Sequence, residues 1–89
     1  MGYDVKYGTV TTEHGNIPVD EPVVVFRARD CLVPTLLAYY AALCRDVGSP
    51  ERHLQLVGKS AELIEQWQAQ HPEQLRIPDS ERSRAWLPD

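Results

Sequence analysis

Apolar and polar residues alternate at the start of the chain. Tyr3, Val5 and Tyr7 interleave with Asp4 and Lys6, the two-residue period of a half-buried strand. Thr9, Val10, Thr11 and Thr12 continue it with β-branched side chains, which suit a pleated surface, and Gly8 predicts a bulge or bend within it. The pattern breaks at Glu13-His14-Gly15-Asn16, a turn in which Gly15 and Asn16 accept positive φ. Pro18 and Pro22 then bracket an acidic loop containing Asp20 and Glu21, and neither proline can donate to a ladder. The unbroken apolar run Val23, Val24, Val25 and Phe26 predicts a second strand, over 23–28, with cover on both faces. Antiparallel pairing with the first strand is the simplest connection for such a loop.

A helical period follows. Asp30 is a good N-cap and Pro34 falls in the first turn, where proline is tolerated. At about 100° per residue, a helix over 31–47 gathers Val33, Leu36, Leu37, Tyr40, Leu43, Cys44 and Val47 on one arc. Its opposite side holds Ala38, Ala41, Ala42 and Arg45. So little charge there predicts contact with another helix, including one from a second subunit. Gly48 ends the helix as the C′ residue. Ser49-Pro50-Glu51 opens a second helix with a cap, a proline at the first helical position and an early acid. Its apolar arc is Leu54, Leu56, Val57, Ala61, Leu63, Ile64 and Trp67, and Pro72 stops it near His71. The short connection at Gly48-Ser49 implies an antiparallel helix pair.

After Pro72 the periodicity decays into prolines and mixed charges. The predicted fold class is therefore α+β: an N-terminal antiparallel β-hairpin, two antiparallel helices and an extended C-terminal tail. Residues 1–78 form the domain and 79–89 an irregular tail; its Trp86-Leu87 pair is read as folding back on the domain, reaching a neighbouring subunit, or staying disordered.

Composition narrows the functional classes. The 89 residues suffice for one domain, and domains this small leave so much surface exposed that oligomerisation is a common remedy. Nine Lys and Arg against thirteen Asp and Glu give a formal charge of −4, which argues against duplex nucleic acid as a partner but permits a local basic pocket. No stretch is long enough to span a membrane and the start lacks a signal pattern, so a cytoplasmic protein is expected. Cys31 and Cys44, 13 residues apart in one predicted helix, stand roughly 20 Å apart, too far for a disulfide; two thiols in a reducing compartment are expected.

No phosphate loop, dinucleotide glycine pattern, zinc-ligand spacing or nucleophile elbow occurs. No catalytic residue, metal or cofactor is predicted, and the protein is expected not to be an enzyme. The positive candidate is Arg27-Ala28-Arg29-Asp30 at the strand-to-helix junction. Alternation places Arg27 and Arg29 on one side of an extended chain, just before a helix N-terminus that favours anions. Two guanidiniums match phosphate or carboxylate oxygens. Thr12 and His14 in the neighbouring turn, and Tyr39 as a stacking ring, are lesser candidates for the same ligand. Two readings stand side by side: an anionic small-molecule site, or arginines paired with Glu13, Asp20, Glu21 or Asp30 to hold the loops.

The segments Thr11-Thr12-Glu13-His14-Gly15-Asn16-Ile17-Pro18 and Glu21-Pro22-Val23-Val24-Val25-Phe26-Arg27-Ala28-Arg29-Asp30 resemble a family of small, mostly uncharacterised phage and prophage proteins. That family shows a TTEHGDIP turn and an EPVF strand leading to RA(Q/R)D. Here Asn16 stands where the family often has Asp, and Arg29 where it often has Gln. The resemblance covers the first half of the chain well and the helices loosely. It implies a small cytoplasmic protein of phage or prophage origin. By analogy with compact phage proteins that sequester cyclic-nucleotide or ADP-ribose-derived alarm signals, it implies an oligomeric anti-defence sponge. The alternative is a non-enzymatic protein-interaction module of the same origin.

Overall fold

The computed structural model describes residues 1–78. The predicted tail, with Trp86 and Leu87, lies outside the described residues. The fold is α+β: a two-stranded antiparallel hairpin, β1 (Gly2–Asp4) and β2 (Gly8–Val10), then helices α1 (Val33–Val47) and α2 (Glu51–Gln70) and a 3-10 turn at Pro72–Gln74.

The hairpin is tighter than the alternation predicts, because Asp4 turns the chain. Its carboxylate Oδ1 accepts the N–H groups of Lys6 at 2.8 Å and Tyr7 at 2.7 Å, closing a loop of the kind Asp side chains favour. Gly8 leaves that loop with φ 85°, a left-handed conformation suited to glycine. What reads as one strand over 3–12 is thus two short strands paired in register, with Tyr3 opposite Thr9. The polarity is also inverted. Gly2 and Asp4 are buried, whereas Tyr3 and Val5 face out. Gly2 is small for a reason: a Cβ there would lie 2.6 Å from Cγ1 of Val23.

Residues 23–28 do not form the predicted antiparallel strand. The chain touches β1 through one parallel bridge, Tyr3 with Pro22, in which Tyr3 N–H donates to the Glu21 carbonyl at 3.1 Å and Val23 N–H to the Tyr3 carbonyl at 2.8 Å. β2 already occupies the antiparallel role beside β1, and Pro22 has no N–H to extend the ladder. The expected cover on both faces is absent here: Val24 is 72% exposed and Phe26 52%.

α1 begins two residues later than predicted. Asp30 is not the N-cap: Leu32 takes that position, with no side-chain cap bond, and the Asp30 Oδ1 instead accepts the Leu32 N–H at 2.9 Å in the turn before the helix. Gly48 (φ 81°) ends α1, with its N–H donating to Arg45 and that of Ser49 to Cys44, so carbonyls of the last turn are satisfied. Pro50 is the N-cap of α2, one residue later than the sequence reading put the cap. The two helices are in contact, and their covered side holds Val33, Leu37, Ala41 and Cys44 of α1 and Leu54, Val57, Ala61 and Ile64 of α2, all buried or half-buried. Leu36, Tyr40, Leu43 and Val47, predicted to share the core arc, form an exposed row beside the packed one. At 100° per residue the mean direction of the covered row lies about 85° from that of the exposed row. No described helix is long and apolar enough to cross a membrane.

Candidate anion-binding site

A cavity of about 680 Å³ lies where the hairpin, residues 23–30 and residues 76–78 meet. That volume suits a small organic ligand. Arg27 and Arg29 both line it, together with Lys6 and Arg76. The physical reason differs from the predicted alternation. Residues 27–30 form a turn closed by the Asp30 N–H donating to the Arg27 carbonyl at 3.0 Å, and this turn brings both arginines to one cavity. Among the described residues neither guanidinium has a hydrogen bond or an ion pair. The alternative reading, that Glu13, Asp20, Glu21 or Asp30 holds them, finds no such pair.

Two supports fix the turn. Gln68 of α2 donates its side-chain amide to the carbonyls of Ala28 at 2.9 Å and Asp30 at 3.1 Å. Residue 76 runs parallel beside it: Arg76 N–H donates to the Arg29 carbonyl at 2.9 Å and Cys31 N–H to the Arg76 carbonyl at 3.0 Å. The Arg76 Nη1 group donates to the carbonyls of Glu73 at 2.7 Å and Leu75 at 2.8 Å, while its Nε is buried with no partner among the described residues.

The opposite wall is Asp4. Besides the two loop N–H groups, its Oδ2 accepts the Val25 N–H at 2.8 Å, tethering the hairpin to the segment that leads to Arg27. The Tyr7 N–H bond does most to hold this carboxyl below the ordinary carboxylate range; the Val25 and Lys6 bonds and the Lys6 charge add to it, and burial opposes them. Asp4 is therefore a structural anion in the cavity wall.

The other predicted site residues lie elsewhere. Thr12 and His14 sit on the exposed turn after β2, and Tyr39 is 66% exposed on α1; none lines the cavity. The predicted use of the α1 N-terminus is also altered, since Asp30 itself takes the Leu32 N–H. A second, wholly apolar cleft of about 250 Å³ is formed by Phe26, Leu36, Leu37 and Tyr40. Beside it the Tyr40 hydroxyl lies 3.3 Å from Nε2 of His53, and the neighbouring Cys44 thiol raises the tyrosine pKa above the ordinary value.

Sequence reasoning missed Arg76 and the role of Asp4. Arg76 reaches the site through a bridge between positions 30 and 76, which no periodicity reveals. One signal was available: Pro78 forces its predecessor into an extended conformation, so the segment before it can pair. No family model, no curated protein and no solved structure matches the chain.

Proposed function

We propose that this chain is a small oligomeric binding protein that sequesters a phosphate-bearing ligand, of cyclic-nucleotide or ADP-ribose type, and does not turn it over. The observation that carries this reading is the pair of unpartnered guanidiniums, Arg27 and Arg29, in a cavity of about 680 Å³. Arg27 is exposed and Arg29 half-buried, so both are open to an incoming ligand, and paired arginines match phosphate oxygens. Val24 and Phe26 in the same lining supply the apolar wall that a base or sugar needs. The resemblance to phage proteins supplies the biological setting: sequestration of a host alarm signal in the infected cytoplasm.

Oligomerisation is supported by the balance of buried and exposed apolar groups. Among the described residues the buried hydrophobic side chains are Val33, Cys44 and Val57, whereas Leu36, Tyr40, Leu43 and Val47 line an open face of α1. So small a core calls for a second source of burial, and a second copy covering that face supplies it. The alanine side of α1 is less apt, because Ala41 there is already half-buried.

Native mass spectrometry of the purified protein, alone and with cyclic dinucleotides, cyclic trinucleotides and cyclic ADP-ribose isomers, tests the reading. A discrete added mass on an oligomer, released unaltered on denaturation, is expected. Arg27→Ala should abolish that mass while leaving the melting temperature nearly unchanged. An altered ligand mass would mean catalysis. The same exposed apolar face favours the second reading, a protein-interaction module. Absence of any adduct, with a partner protein recovered through Leu36 and Leu43, would establish that reading instead.

A further inference from the structure

We infer that the apolar cleft formed by Phe26, Leu36, Leu37 and Tyr40 is the seat of the chain's own Trp86-Leu87 pair. The inference goes beyond the anion-binding reading and does not depend on it.

Three observations lead there. The first is the cleft. It measures about 250 Å³ and only apolar groups line it. That is the scale of one large aromatic side chain. Leu37 is half-buried, while Phe26, Leu36 and Tyr40 stay exposed among the described residues. An apolar hollow open to water gains free energy when an apolar group fills it.

The second is the point from which residues 79–89 set out. Pro78 lines the larger cavity together with Phe26, and Phe26 also walls the cleft. One side chain therefore separates the point of departure from the hollow. That point is well anchored, since residue 76 is bonded to residues 29 and 31. Trp86 stands eight positions beyond Pro78, a reach of up to about 26 Å. Far less is needed to pass one side chain.

The third is what the segment offers. From Asp79 to Ala85 every residue is charged, polar or small, and the large apolar side chains of the segment are Trp86 and Leu87. A connector that suits water thus ends in a pair that suits the cleft, and tryptophan carries a large apolar area into any contact it makes. A second copy of the chain is the rival occupant. Concentration decides against it, because a short linker holds its end group at an effective concentration in the millimolar range, about a thousandfold above a micromolar partner. The pair then covers the Leu36–Tyr40 end of the open α1 face and leaves Leu43 and Val47 for contact between chains.

The test uses the full chain labelled with 13C and 15N, with the Trp67 and Trp86 ring signals told apart by Trp86→Phe. Nuclear Overhauser contacts from the Trp86 ring to the methyl groups of Leu36 and Leu37 are expected. They should be missing from a spectrum filtered for contacts between chains, recorded on a mixture of labelled and unlabelled protein. Trp86→Ala should lower the melting temperature by about 4 °C or more. The spectra of the parent chain carry the test even where a variant folds poorly. Contacts seen only between chains would assign the cleft to a second copy and overturn the inference. So would the absence of any contact from Trp86 to either leucine. Neither result bears on anion binding at Arg27 and Arg29, which the phosphate-bearing ligands test separately.

Discussion

Gln68 and Asp30 are joined across 38 positions of the chain: the Gln68 side-chain amide donates to the Asp30 main-chain carbonyl at 3.1 Å, and to that of Ala28 at 2.9 Å. One side chain of α2 thus fixes the turn that aims Arg27 and Arg29. Gln68→Ala removes both bonds and leaves two part-buried carbonyls unmet. We expect a loss of about 1–3 kcal/mol in unfolding free energy, read as a lower urea midpoint at constant m-value. Anion affinity should fall as well, although Gln68 does not line the cavity. Unchanged stability would show that the turn holds without the amide.

Asp4 gives a pH signature with a definite sign. Its carboxyl is held below the ordinary value of 3.8, chiefly by the Tyr7 N–H. A depressed carboxyl stabilises the fold in full above its unfolded pKa, and that contribution is lost as pH falls through the lower folded value. Asp4→Asn presents an amide N–H towards one of the three donors, so the variant is less stable at pH 7. The difference from the parent chain should narrow below about pH 4. Denaturant titrations at pH 7 and pH 3 check this, and a gap of equal size at both would sink the assignment.

Two glycines should respond to alanine in opposite ways. At Gly2 a new Cβ meets Val23 Cγ1 at 2.6 Å, and we expect a cost of about 1–3 kcal/mol from overpacking. At Gly58, inside α2, a Cβ has nothing within 4 Å. There the better helix propensity of alanine should raise stability by up to about 1 kcal/mol. Chemical denaturation of both variants separates a close approach from an ordinary helix position.

The exposed row of α1 predicts where subunits meet. Leu43→Glu should reduce the mass seen by light scattering to that of one chain, with helical circular dichroism retained, because Leu43 is not in the row packed on α2. Ala38→Glu, on the opposite side of α1, should leave the assembly intact. The reverse pattern would return the interface to the alanine side.

The fold was legible where a local rule governed it. Gly48 ended α1 as a left-handed residue, Pro72 followed α2, and the two helices on either side of the short linker pack on one another. It was misread where one side chain overrode a pattern. Asp4 looked like the polar half of an alternation, yet its three accepted N–H groups bury it and turn the chain. The apolar run at Val23 looked doubly covered, yet Val24 and Phe26 face outwards, since hydrophobicity records a need for burial and not which surface supplies it. At the site, Arg27 and Arg29 were found from composition and position. Arg76 was not, because its place depends on a single long-range bridge.

Asp4, Arg27 and Arg76 wall one cavity although they span nearly all of the described chain. No fragment that lacks either end can assemble it. A nascent chain gains the site only after its second helix has been made and has docked, so ligand capture reports completed folding. Conversely, any ligand that binds there acts as a tie between the two ends. Its binding free energy is then shared by the whole structure, about 2.7 kcal/mol at a ligand concentration one hundred times Kd. Among the described residues the buried hydrophobic side chains are Val33, Cys44 and Val57, so such a tie would add substantially to the stability of the fold.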